Sequence, residues 1–205
     1  MKIITIKQAI LILKKTLKKG DIILTKPKLN STKLKIINFW SFLIGKISRG
    51  VTHSCFYLGD DYVLEVGRRF TDKDIKKIKI KKLLEDKIEI FKEIILYVVH
   101  PKSYTNNHRN LAFKIAVDKF LSKTKEDSFS YITAVMGGLR YIFNKSRFYK
   151  KENINDKKKW HCSDMIAYII KGSGVPIGKR AVHTFLPSSF LFSKYFKTKN
   201  KITIR

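Results

Sequence analysis

The sequence predicts an α+β fold in which an antiparallel sheet packs against helices. Three observations point that way. Residues 51–66, "VTHSCFYLGDDYVLEV", place two runs of β-branched and aromatic residues on either side of a Gly-Asp-Asp turn, the pattern of a β-hairpin. The apolar runs at 21–26 and 93–101 have strand length and end at turn or breaker residues. Residues 5–18 and 106–123 instead repeat apolar side chains at helical spacing. The two kinds of element alternate without an internal repeat or a second domain, which is the α+β arrangement.

In order along the chain, residues 5–18 read as a helix with Ile6, Ile10, Leu13 and Leu17 on one face and lysines on the other, ended by Gly20. "DIILTK" (21–26) reads as a short buried strand. Residues 34–48 read as an aromatic-rich amphipathic helix. The hairpin strands are 51–59 and 62–66. Residues 72–91 read as a short strand and a helix, and 93–101 as a strand stopped by Pro101. Residues 106–123 and 128–143 read as helices, the second weakened by Gly137 and Gly138. A basic loop follows. A helix is then expected from about 162 to 171, with Gly172 as its C-cap, and a short strand, "KITIR", comes last. Residues 1–19 form a basic N-terminal helix, and 20–205 form one domain.

The chain has 205 residues, 44% of them hydrophobic, enough for a substantial core. Its formal charge is +28, from 44 Lys and Arg against 16 Asp and Glu. Such a surface attracts polyanions, whether nucleic acid, an anionic membrane or acidic cell-wall polymers. The excess of Lys over Arg, with abundant Ile and Asn, is also what an A/T-rich genome produces. Two cysteines do not make a disulfide framework. The apolar run near the N-terminus is broken by Lys14 and Lys15 and has no small-residue cleavage site after it, so it does not read as a signal peptide. "IINFWSFLIG" (36–45) is too short to span a bilayer. The expectation is a chain without a transmembrane segment, cytoplasmic or virion-associated.

Chemistry concentrates on "WHCSDMIAYII", residues 160–170. Cys162 would stand at the N-terminus of an apolar helix, where partial positive charge eases ionisation and free N–H groups can hold an oxyanion. A nucleophilic thiol needs a base. His53 lies inside an otherwise apolar strand, an expensive place for an imidazole without partners. Glu65 lies inside the returning strand, where a carboxylate is costly unless paired. The hairpin turn puts Glu65 opposite or diagonal to His53, although a slip of one residue would move it to the other face. Together the three read as a Cys-His-Glu triad. His161 adjoins Cys162 but points away from it on a helix. Cys55 lacks a helix terminus and reads as packing beside the site. A zinc site from His53, Cys55, His161 and Cys162 has neither the C-x-x-C nor the H-x-x-x-H type of spacing, so no metal or other cofactor is expected.

These motifs resemble the NlpC-like papain-fold cysteine hydrolases, and more closely their circularly permuted branch. That branch includes YiiX- and YaeF-like bacterial proteins, some poxvirus proteins and lecithin retinol acyltransferase relatives. The similarity rests on Asp21-Ile22-Ile23, Thr52-His53, Val63-Leu64-Glu65 and Cys162-Ser163-Asp164, in the permuted order with the histidine strand first. It covers most of residues 20–190. There are departures: Cys55 stands where the family has Gly or Ala, His161 where it often has Tyr, and "FSY" (129–131) where it often has a Tyr-Asp pair. The resemblance implies a permuted papain-like fold and a thiol hydrolase or acyltransferase acting on cell-wall peptide or lipid-acyl groups. Cys162, His53 and Glu65 would be catalytic, with Trp160, Ser163 and Tyr131 as substrate contacts. The alternative is the same scaffold serving as a basic virion or polyanion-binding protein, with little or no catalysis.

Overall fold

The computed structural model describes residues 3–28, 48–66, 75–122, 128–129, 159–178, 182 and 185–205. The chain starts with strand β1 (Ile3–Ile4) and helix α1 (Ile6–Thr16). Thr5 caps α1 in a capping box with Gln8, which satisfies two of the N–H groups that a helix start leaves open. Strand β2 (Ile22–Pro27) follows, then the hairpin β3 (His53–Gly59) and β4 (Tyr62–Val66). Strand β5 (Ile75–Lys79) leads directly into helix α2 (Ile80–Phe91). Next come β6 (Ile94–Pro101) and helix α3 (Asn106–Ala116). The two-residue strands β7 (Ser128–Phe129) and β8 (Lys159–Trp160) pair in parallel. Helix α4 (Cys162–Gly172), helix α5 (Pro187–Phe192) and strand β9 (Phe196–Ile204) complete the described elements.

The larger sheet has seven strands in the order β1-β9-β6-β2-β3-β4-β5. One face buries Ile23, Tyr57, Val63, Leu96 and Val98 against Ala9 and Leu13 of α1 and Leu83 and Leu84 of α2. The other face buries Leu24, Phe56, Leu64 and Val99 against α3 and α4, with Ile166, Ala167 and Ile170 at its centre. Alternation along the strands makes both faces apolar, so the sheet is covered on both sides. The basic N-terminal helix thereby joins the core cluster on one face of the sheet.

The α+β class stands, but the sheet is mixed rather than purely antiparallel: Ile3 pairs with Thr203 and Ile4 with Ile204 in parallel. The terminal strand is longer than "KITIR". Its first half alternates lysines with short polar residues, and β1 reaches only its last two positions, so it is a charged edge that hides its strand character. The expected helix 106–123 is α-helical only to Ala116 and passes into a π-helical turn, Val117–Leu121. Gly172 remains inside α4, and the left-handed backbone falls at Gly174 (φ +85°). Ser128 and Phe129 are strand, not helix. The short α5, opened by Pro187, is absent from the sequence-based reading. The expected helix 34–48, apart from Ser48 in a turn, and the rest of 128–143 lie outside the described residues, as do the basic loop up to 158 and Tyr131. Among the described residues, no helix is long and apolar enough to cross a membrane.

Candidate active site

The hairpin sets the positions of His53 and Glu65. Its loop is two residues, Asp60 and Asp61, both at positive φ (50° and 65°), which matches a tight turn to the twist of the strands. Gly59 pairs with Tyr62, but the register shifts at a bulge between Tyr57 and Gly59, so that Phe56 pairs with Leu64. Continuing that register places Glu65 beside Cys55 and diagonal to His53. The side chains meet there, with His53 Nε2 3.1 Å from Glu65 Oε1. Glu65 is fully buried and is shared with a second cation, since Lys87 Nζ lies 3.7 Å from the same oxygen.

Lys87 is absent from the sequence-based set, although its signal was present. It falls on the apolar stripe of α2, seven residues after Ile80, four after Leu83 and three after Leu84. A lysine in that position is buried with its charge, and its partner is the equally anomalous Glu65.

Cys162 is the first residue of α4. Helix α4 packs on β3, which brings the thiol to His53 and Ser54. Cys162 and His53 each keep 8% of their surface exposed, whereas Cys55 and Glu65 keep none, so the first pair is the one that reaches solvent. The two thiols differ in acidity. Burial pushes both upward. At Cys162 this is outweighed by hydrogen bonding and charge from His53, together with the N–H and hydroxyl of Ser54, and the thiol lies below its ordinary value. The Ser54 hydroxyl has no other hydrogen-bond partner among the described residues. At Cys55 burial prevails over His53, and the thiol lies above its ordinary value. Burial and Lys87 pull His53 down, but charge from Cys55 and hydrogen bonds with the Cys162 and Cys55 thiols push it up, and the imidazole lies well above its ordinary value.

His161 is the N-cap of α4. Its Nδ1 accepts from the Asp164 N–H at 3.4 Å and lies 3.2 Å from the Ser163 hydroxyl, while its own N–H donates to Asp164 Oδ1 at 2.7 Å. It closes the helix start. His161→Ala is expected to cost about 1 kcal/mol through loss of the cap, read as a lower melting temperature; an unchanged transition would contradict this role.

Trp160 and Ser163 do not line a substrate surface. Trp160 is fully buried, edge-on to Phe120 (5.1 Å) and Tyr168 (5.2 Å), and Ser163 is fully buried against His161. The β7–β8 pairing draws Trp160 into the core just before Cys162, so it anchors the helix start. The four-residue zinc set is not assembled either, because His161 is engaged in the cap. His53 and Cys55 cluster instead with Glu65.

Neither the family models nor the curated proteins compared with this chain give a match. The functional reading therefore rests on the arrangement of Cys162, His53 and Glu65.

Proposed function

We propose that the protein is a thiol-dependent hydrolase, or acyltransferase, that opens amide or ester bonds through Cys162, His53 and Glu65 on a permuted papain-like scaffold. The observation that carries this reading is the position of His53 between a buried carboxylate and the thiol at the start of α4. Glu65 accepts from Nε2–H, which selects the tautomer and leaves Nδ1 for the thiol proton.

The reaction follows from those positions. The Cys162 thiolate attacks the carbonyl carbon, and the carbonyl oxygen takes the negative charge. The Cys162 N–H at the helix start is placed to donate to that oxygen. The His53 imidazolium gives its proton to the leaving amine or alcohol, and a thioester forms. Water, or an acceptor alcohol or amine, then attacks the thioester with His53 as base, and the thiolate is regenerated. Glu65 balances the imidazolium while His53 carries the proton, and Lys87 offsets the carboxylate when His53 is neutral. Cell-wall peptide amides and lipid-acyl groups are the substrate classes that suit this chemistry on a strongly cationic chain.

A substrate-free test is available. At neutral pH, iodoacetamide is expected to alkylate Cys162 well before Cys55, with peptide mapping to read the two sites. Slow and equal labelling of both thiols in the folded protein would refute the nucleophile assignment.

A further inference from the structure

Cys55 has no part in the reaction proposed above, yet it lies beside the reaction's base. The ligand-capable atoms of His53, Cys55 and Glu65 all lie within 4.8 Å of one another, and the three residues are buried. A tetrahedral zinc ion holds its N, O and S ligands about 3.3–3.8 Å apart, given bond lengths of about 2.0–2.3 Å. The observed cluster needs only small side-chain movements to reach that, and one edge, His53 Nε2 to Glu65 Oε1, is already 3.1 Å. The donor set of one imidazole, one thiolate and one carboxylate suits a borderline-soft divalent ion. Two anionic ligands neutralise its charge, so the nearby Lys87 faces no added net positive charge.

We infer that His53, Cys55 and Glu65 form an inhibitory binding site for a zinc-class divalent cation. The inhibition rests on the hydrolase reading; the binding does not. On binding, the metal forms bonds to the Cys55 sulfur, one His53 ring nitrogen and a Glu65 oxygen. The Cys55 thiol and the His53 imidazolium each release a proton to solvent, and no electrons move. The imidazole and the carboxylate are then held by the metal, and Cys162 loses its base. One coordination position remains, for water or for the Cys162 sulfur.

Cobalt(II) titrated into the full-length chain tests this, because a thiolate–cobalt charge-transfer band reports binding without any turnover. Wild type and Cys162→Ala are expected to show the band. Cys55→Ser, nearly the same size as the native residue, is expected to lose it and to bind at least roughly tenfold more weakly, the minimum set by what loss of a supporting group alone costs. Absence of the band in wild type overturns the site. So does a band that survives Cys55→Ser but disappears in Cys162→Ala. In parallel, zinc is expected to slow alkylation of Cys162 in wild type but not in Cys55→Ser. A cobalt band with no effect of zinc on alkylation overturns the inhibition. Slow, equal alkylation without any metal overturns the hydrolase reading instead, so the two failures are distinguishable.

Discussion

Cys162→Ala is expected to reduce turnover by roughly 10³-fold or more, with the fold intact, in a screen of peptidoglycan fragments and acyl esters. The chain's one other thiol is Cys55. Cys55 is fully buried, and burial pushes its thiol above the ordinary value. The pH profile sharpens the expectation. Turnover needs Cys162 as thiolate and His53 as imidazolium. The Cys162 thiol is lowered and the His53 imidazole is raised, and both shifts favour the thiolate–imidazolium pair. Activity should rise with pH as Cys162 loses its proton and fall as His53 loses its own, with both limbs belonging to the coupled pair. A variant that keeps wild-type turnover, or a profile that only climbs into the alkaline range, would end the triad assignment.

Asp21→Ala is expected to be strongly destabilising. Asp21 is fully buried at the head of β2. Its carboxylate accepts from the Arg109 guanidinium of α3 at 3.0 Å, from the Lys199 ammonium of β9 at 2.7 Å and from the Lys18 N–H at 3.0 Å. One anion thus ties a strand, a helix and the terminal strand together. Removing one partner of a buried ion pair costs about 3–5 kcal/mol. Both cations reach some solvent here, so the lower end applies. For a chain of this length, about 3 kcal/mol lowers the melting temperature by roughly 6–12 °C. A fall of less than about 2 °C by calorimetry would show that the cations relax into water at little cost. Asp21 is the first residue of the Asp-Ile-Ile motif, and its partners give that position a structural role rather than a catalytic one.

Much of the frame was legible because local patterns suffice for it. The helix 5–18, the hairpin and the strands at 21–26 and 93–101 each declare themselves by period and breaker residues, and each appears within a few residues of its expected place. The misses have specific causes. β1 is two residues long, and its pairing with β9 joins the two ends of the described chain, beyond the reach of any local pattern. Lys87 was hidden because a lysine on a lysine-rich helix looks like a solvated one. The resemblance implies substrate contacts at Trp160 and Ser163, whereas a buried helix start draws both into the core.

From sequence alone came the candidate nucleophile, the anomalous His53 and the anomalous Glu65, because a polar side chain inside an apolar run is conspicuous whatever surrounds it. What the sequence left open was whether His53 and Glu65 share a face. The two-residue turn by itself sets Gly59 opposite Tyr62, and that register carried onward would pair Glu65 with Phe56, on the face away from His53. The bulge in β3 adds one residue, returns Glu65 to the side of His53 and Cys55, and lets the two side chains meet. That choice is made by the packing on both faces of the sheet: Phe56 and Leu64 must meet α4 while Tyr57 and Val63 meet the α1–α2 side, and only the bulged register satisfies both while keeping the tight turn.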